Sequence, residues 1–300
     1  MLAGKDQHSI IKQLSQLAWN AASYQVVNEA RRLAPSDPEG GVQLNGLMHR
    51  LLDRGFFIDQ IVGIRRLNDT FPLEGEKGVF SLTGLLDDLL RHRHLLKRRD
   101  IFEAEGLKYD YDDVKEASQE YSSKKIKAGE GPHYLPRDLV WQRYELRHEC
   151  LDRLAGVPAG DRKPDDVIQE SALINLHSKV ASACRDVIGV ATKFIAHAAT
   201  PESRAVVSAD DAGVSLDQIH AAHRSLCQIT GFLAIYVLGD SCPGFLATPQ
   251  FDQFVHIEKP LIDMSEVPRL ERLWCQLDNE YRAWSHWGID AYETEFGAKT

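Results

Sequence analysis

Apolar residues recur every three or four positions along nearly every periodic stretch of this chain, as at Ile10, Leu14, Leu17, Ala21 and Tyr24. That spacing lines one face of an α-helix. The apolar–polar alternation of a half-buried strand is hard to find, so the sequence predicts an all-α fold in which helices bury their stripes against one another.

Breaker residues divide the pattern. Pro35-Ser36-Asp37-Pro38-Glu39-Gly40-Gly41 stops the first helix near Ala34. A second helix is expected from about Val42 to Asn68, closed by Phe71-Pro72. A third opens at Ser81, whose hydroxyl can accept a first-turn amide, and carries Leu82, Leu85, Leu86, Leu89 and Leu96 as far as Gly106. Between Lys108 and Pro136 the acidic Tyr109-Asp110-Tyr111-Asp112-Asp113 and the basic Lys124-Lys125-Ile126-Lys127 suggest a charged helix and an exposed loop. Further helices are predicted from about Leu139 to Leu154, from Asp165 to about Ala199, and from Ser215, which has capping-box spacing to Gln218, to Leu238. A last one is predicted from about Ser265 to Glu295, burying Leu270, Leu273, Leu277, Tyr281 and Trp284.

With 300 residues and 43% hydrophobic content the chain can bury a core without metals or disulfides. A single elongated helical domain spanning 1–300 is expected. Acidic residues outnumber basic ones, 44 to 35, for a formal charge of −9, so nucleic acid or anionic membrane could be held only by a local basic patch. The five cysteines, Cys150, Cys184, Cys227, Cys242 and Cys275, include no Cys-x-x-Cys pair, which argues for a reducing, cytoplasmic setting. Met1 to Leu14 lacks the pattern of a secretory signal, and Ile229 to Leu238 is about half the roughly 20 residues a membrane span needs.

Glycine-rich phosphate loops, His-Glu-x-x-His pairs and Gly-x-Ser-x-Gly elbows are missing, and no cofactor or metal is expected. Glu145 and His148 have the spacing of two di-iron ligands but lack the second such pair a bundle site requires. Asp217, His220 and His223 follow at three-residue steps. His223 also falls on the apolar stripe with Leu216, Ile219 and Leu226, which fits a hydrogen-bonded histidine at the edge of the core better than a metal ligand. The run Arg91-His92-Arg93-His94-Leu95-Leu96-Lys97-Arg98-Arg99 gathers five permanent cations. Arg91, Arg93, Lys97, Arg98 and Arg99 are thus candidate RNA-backbone contacts, or else a solvated helix face matched by Asp87, Asp88, Asp100 and Glu103.

The segment Cys184 to Arg204 ends its helix in Lys193-Phe194-Ile195-Ala196-His197. This resembles the signature helix of HEPN-domain proteins, in particular the subgroup related to abortive-infection U-type proteins. Ile58 to Asp69 and Ser81 to Leu86 resemble that subgroup's second and third helices. The resemblance spans about Ile11 to Leu238, giving a HEPN-like core over about 5–240 and a helical extension over 241–300. It implies a dimeric helical bundle in phage defence whose active members cleave RNA without a metal: a histidine moves protons and a cation stabilises the charge growing on phosphate.

The family's arginine stands five or six residues before that histidine, where this chain has Thr192 or Ala191. Arg185, twelve residues before His197, is roughly 18 Å away along a helix. Lys193 shares a helix face with His197, and Arg204 lies just beyond the helix, but lysine lacks the planar fork that grips phosphate twice. Two functional expectations follow: a HEPN-like protein that acts by self-association or partner binding, and a metal-independent ribonuclease using His197 with Lys193 or Arg204.

Overall fold

The computed structural model describes residues 2, 6, 8–34, 46–71, 78–107, 109, 116, 119–121, 123–124, 126–128, 136–195, 213–242, 244–255 and 264–297. Among these the protein is all-α. Its helices are α1 (Ile10–Leu33), α2 (Gly46–Leu67), α3 (Leu82–His92), α4 (Arg98–Ala104), α5 (Pro136–Ala155), α6 (Glu170–Val190), α7 (Leu216–Phe232), α8 (Val267–Ser285) and α9 (Ile289–Phe296). The one extended pairing among the described residues is an isolated bridge between Lys97 and Val167, and none of the described helices is long and apolar enough to cross a membrane.

The chain divides into two compact units. The first comprises Met1–Asp87, His177–Phe232 and Cys242–Trp287, and α1 is its central element. Its stripe of Ile10, Leu14, Leu17, Ala18, Ala21, Ala22, Val26 and Ala30 is buried, and α2, α7 and α8 all pack on it. Gly63 lets α2 approach closely, since a Cβ there would lie 2.4 Å from the Leu17 side chain. Higher up the same pair, Tyr24 stacks on Phe56 at 3.8 Å and donates a 2.8 Å hydrogen bond to Asp53, which also pairs with Arg31. Burial and the Asp53 carboxylate push the Tyr24 phenol up to about 12. On the other side Trp19 meets Trp274 of α8 edge-on at 5.2 Å. The expected caps are present: Gly84 N–H donates to the Ser81 hydroxyl at 3.0 Å, and Ser215 and Gln218 exchange both capping-box bonds.

The second unit comprises Asp88–Leu176, Leu233–Ser241 and Gly288–Thr300. Ile101, Phe102, Tyr144 and Leu151 form one buried apolar cluster in it. Two buried arginines organise the polar groups around it. Arg98, 1% exposed, pairs with Asp152 at 2.9 Å and Asp166 at 3.1 Å, and Asp152 is also gripped by Arg162. Arg147 pairs with Glu105 at 2.6 Å, both side chains being buried, and donates to the carbonyls of Tyr236 and Val237. Gly239, at φ +65°, passes so close to Glu105 that a Cβ would collide with its carboxylate.

Several predicted boundaries shift. The helix expected from Ser81 to Gly106 breaks at a 3-10 turn, Arg93–Leu95, before α4 resumes. The cause is tertiary: Lys97 bridges to Val167 and the Arg98 amide donates to the Asp166 carbonyl at 2.8 Å. Gly106, at φ +70°, does terminate α4. The helix expected over 265–295 is α8 and α9, separated at His286–Gly288. α6 starts at Glu170, five residues later than expected, and ends in a π-helical turn, Ala191–Ile195; the rest of that predicted helix lies outside the described residues.

Candidate functional site

Two of the three proposed catalytic residues, His197 and Arg204, lie outside the described residues. Lys193 is half-buried in the π-helical turn, which packs against α2. At the two positions where the family's arginine is expected, Ala191 is buried and Thr192 is exposed. Neither can hold a phosphate as a cation does.

The basic run is not one continuous helix face. Arg98 is withdrawn from any phosphate, because its guanidinium is enclosed in the Asp152–Asp166 network. Arg93 lies 3.4 Å from Glu170, Lys97 3.1 Å from Asp165, and Arg99 within 4 Å of Asp100 and Asp165. Of the acidic residues expected to match the run, Asp100 meets Arg99 and Asp88 meets His92, while Asp87 faces His177 outside it; the main partners come from 152–170, at long sequence distance. Arg91 stays exposed.

His148 also has a structural role. It is buried against Phe102 with ring centroids 4.3 Å apart, and its Nδ1 lies 3.2 Å from Arg98 Nη1. An arginine only donates, so Nδ1 accepts and the ring proton is on Nε2. Burial, with Arg162 and Arg98 nearby, lowers the His148 pKa to about 4. Among the described residues, no three His, Cys, Asp or Glu side chains are placed to hold a metal ion.

The histidine pair on α7 is more unusual. His220 and His223 line a cavity of about 290 Å³ in the first unit, walled by α1, α2, α7 and α8. His220 Nε2 lies 3.3 Å from Glu280 and its ring lies over Trp284 at 4.7 Å. His223 is 1% exposed, and its Nδ1 meets the Tyr281 hydroxyl at 3.2 Å. This is the hydrogen-bonded histidine that the helical stripe predicts, though its partner is 58 residues away and had no signal in the sequence. Nε2 of His223 is buried without a hydrogen-bond partner among the described residues.

Burial, helped by the neighbouring His220, pulls the His223 pKa down to about 3. The unfolded chain takes up a proton at this residue below about pH 6.5, and the folded one does not until near pH 3. Stability therefore falls as pH drops through that window, by about 2 kcal/mol from this residue between pH 7 and pH 5. Urea unfolding at both pH values should show the loss, and His223→Phe should remove this share of it.

The outer face of α2 is the third feature. Leu51 is 66% exposed and Ile58 39% exposed, and with Gly55 and Val62 they form a seam at four-, three- and four-residue steps. Space is open where a Cβ of Gly55 would stand. Arg54 and Asp59 flank this seam on opposite sides and are both exposed. Asp59 accepts hydrogen bonds from Asn20 and Gln60 and has no cation among its hydrogen-bond partners here. Beside the seam runs a groove of about 960 Å³ between α1 and α2, lined by Lys12, Gln16 and Trp19 and by Ile58, Asp59 and Val62.

No protein-family model matches the chain, and neither a curated protein nor a solved structure matches it.

Proposed function

We propose that this chain is a HEPN-like helical protein that acts by pairing with a second copy of itself through the outer face of α2, and not by cleaving RNA. The seam carries the reading. Leu51, Gly55, Ile58 and Val62 follow the a/d spacing of a coiled coil, and on that register Arg54 takes a g position and Asp59 the e position five residues later. In a parallel two-fold pair, g of one copy faces e of the other, so Arg54 meets Asp59 of the second copy on both sides of the axis. The gap at Gly55 lets the two backbones come close.

Against cleavage stands the chemistry at the motif: Ala191 and Thr192 leave the arginine's place without a cation, and four of the five cations of the basic run face carboxylates. The test is sedimentation of the wild-type protein and of Ile58→Asp, with cleavage of total RNA in EDTA measured beside it. The expected result is a wild-type dimer, a monomeric and folded Ile58→Asp, and intact RNA. A wild-type monomer sinks the pairing. Cleavage that disappears in His197→Ala establishes the ribonuclease reading instead.

A further inference from the structure

A further cavity of the first unit has no α2 residue on its wall and stands apart from the α7 histidines. It holds about 610 Å³ and lies between the first two turns of α1, the segment 244–248 and the end of α8. Lys12, Arg282 and His286 line it together with the hydroxyl-bearing Ser15 and Thr248, and none of the described residues on its wall is a carboxylate. In a chain of formal charge −9 this is a local excess of positive charge. A concave site lined by one sign of charge concentrates ions of the other.

Arg282 sets the site apart from an ordinary solvated surface. Its side chain is half exposed, yet it is restrained at three points. The stem passes Gly244 so closely that a Cβ there would lie 3.2 Å from Arg282 Cγ. Nε donates to Asp278 at 3.0 Å, and Nη2 donates to the Thr248 hydroxyl at 3.1 Å. Asp278 sits one turn back on α8 and off the cavity wall. Nη1 makes no hydrogen bond among the described residues, so the guanidinium is fixed with donors still to place. A cation already held in position loses little freedom when it takes an anion. His286, one turn further along the same helix, donates from Nδ1 to the Arg282 carbonyl at 2.7 Å, which leaves Nε2 to donate when the ring is protonated.

We propose that this cavity binds a small phosphate monoester, its phosphate gripped by the Arg282 guanidinium and neutralised by Lys12, its organic part against Ile11, Leu246 and Ala247 of the wall. Such a phosphate carries a charge of about −1.5 to −2 at pH 7, close to what Arg282 and Lys12 offer together. Its three terminal oxygens suit donors that come from both α1 and α8, whereas a planar carboxylate presents only two and is met by one arginine fork alone. The volume is that of a small-molecule site.

The experiment is calorimetric titration of the full chain with phenyl phosphate, inorganic phosphate and benzoate, repeated on Arg282→Gln, Lys12→Gln and Arg272→Gln. All three residues are exposed, so helical circular dichroism should be unchanged in each variant. Arg272, on α8 but off the cavity wall, controls for a general loss of positive charge. Saturable one-site binding of phenyl phosphate is expected, with inorganic phosphate and benzoate weaker by about tenfold or more. Arg282→Gln and Lys12→Gln should each weaken phenyl phosphate by about tenfold, the worth of one charge-assisted hydrogen bond, and Arg272→Gln should bind as the wild type does. The proposal is overturned if phenyl phosphate does not saturate, if benzoate matches it, if inorganic phosphate matches it so that the free ion is the ligand, or if Arg272→Gln weakens binding as much as Arg282→Gln.

Discussion

Arg98→Ala lowers the unfolding free energy by about 3–5 kcal/mol, the usual cost of removing one partner from a buried ion pair. The guanidinium is 1% exposed and answers two carboxylates, Asp152 and Asp166, as well as His148. Without it Asp166 loses its only side-chain cation within the described network, and Asp152 keeps only Arg162. Domains are stable by about 5–15 kcal/mol in all, so this one change removes a large share. Arg91→Ala, seven residues earlier in the same basic run and exposed, is the control and should shift the urea midpoint by almost nothing. If both variants unfold alike, the buried network does not hold the second unit together.

Gly231→Val is the other large effect. An ideal Cβ at Gly231 of α7 lies 2.6 Å from the Ser285 carbonyl oxygen at the end of α8. A backbone atom cannot swing aside as a side chain can, so the α7–α8 contact opens, and overpacking of this kind costs about 1–3 kcal/mol. Glycine is itself a poor helix former, by about 1 kcal/mol relative to alanine. That makes the sign informative: Gly189→Ala in α6, where nothing stands within 4 Å, should stabilise by about 0.5–1 kcal/mol, while Gly231→Val destabilises. Thermal unfolding of the two variants reads both signs, and a stabilised Gly231→Val contradicts the close packing of these helices.

The helices were legible because a 3.6-residue period written in Leu, Ile, Val and Ala needs no tertiary information. Their interruptions were not. Arg91 to Arg99 carries no Gly or Pro, and the pairing of Lys97, Arg98 and Arg99 with 164–167 accompanies the break. Likewise Gly288, between α8 and α9, is held where a Cβ would meet the Tyr236 hydroxyl at 2.4 Å, a contact between residues far apart in sequence. The candidate site was legible to the same degree. His223 stands out in the sequence because a polar residue sits on an apolar stripe; its partner Tyr281 lies on another helix. Arg98 reads like its neighbours in the sequence because composition distinguishes residue types and not burial, and the face of α2 is visible only once its other side is known to be covered by α1.

The proposed pairing of two copies through α2 is tested most directly by exchanging its flanking charges. Arg54→Asp or Asp59→Arg alone sets like charges together twice in each dimer, and each should weaken association at least tenfold; Arg54→Asp combined with Asp59→Arg restores opposite signs and should return the dimer to near wild-type strength in sedimentation equilibrium. If the double variant is as weak as the two single variants, or if neither single change weakens the dimer, the copies do not meet along α2.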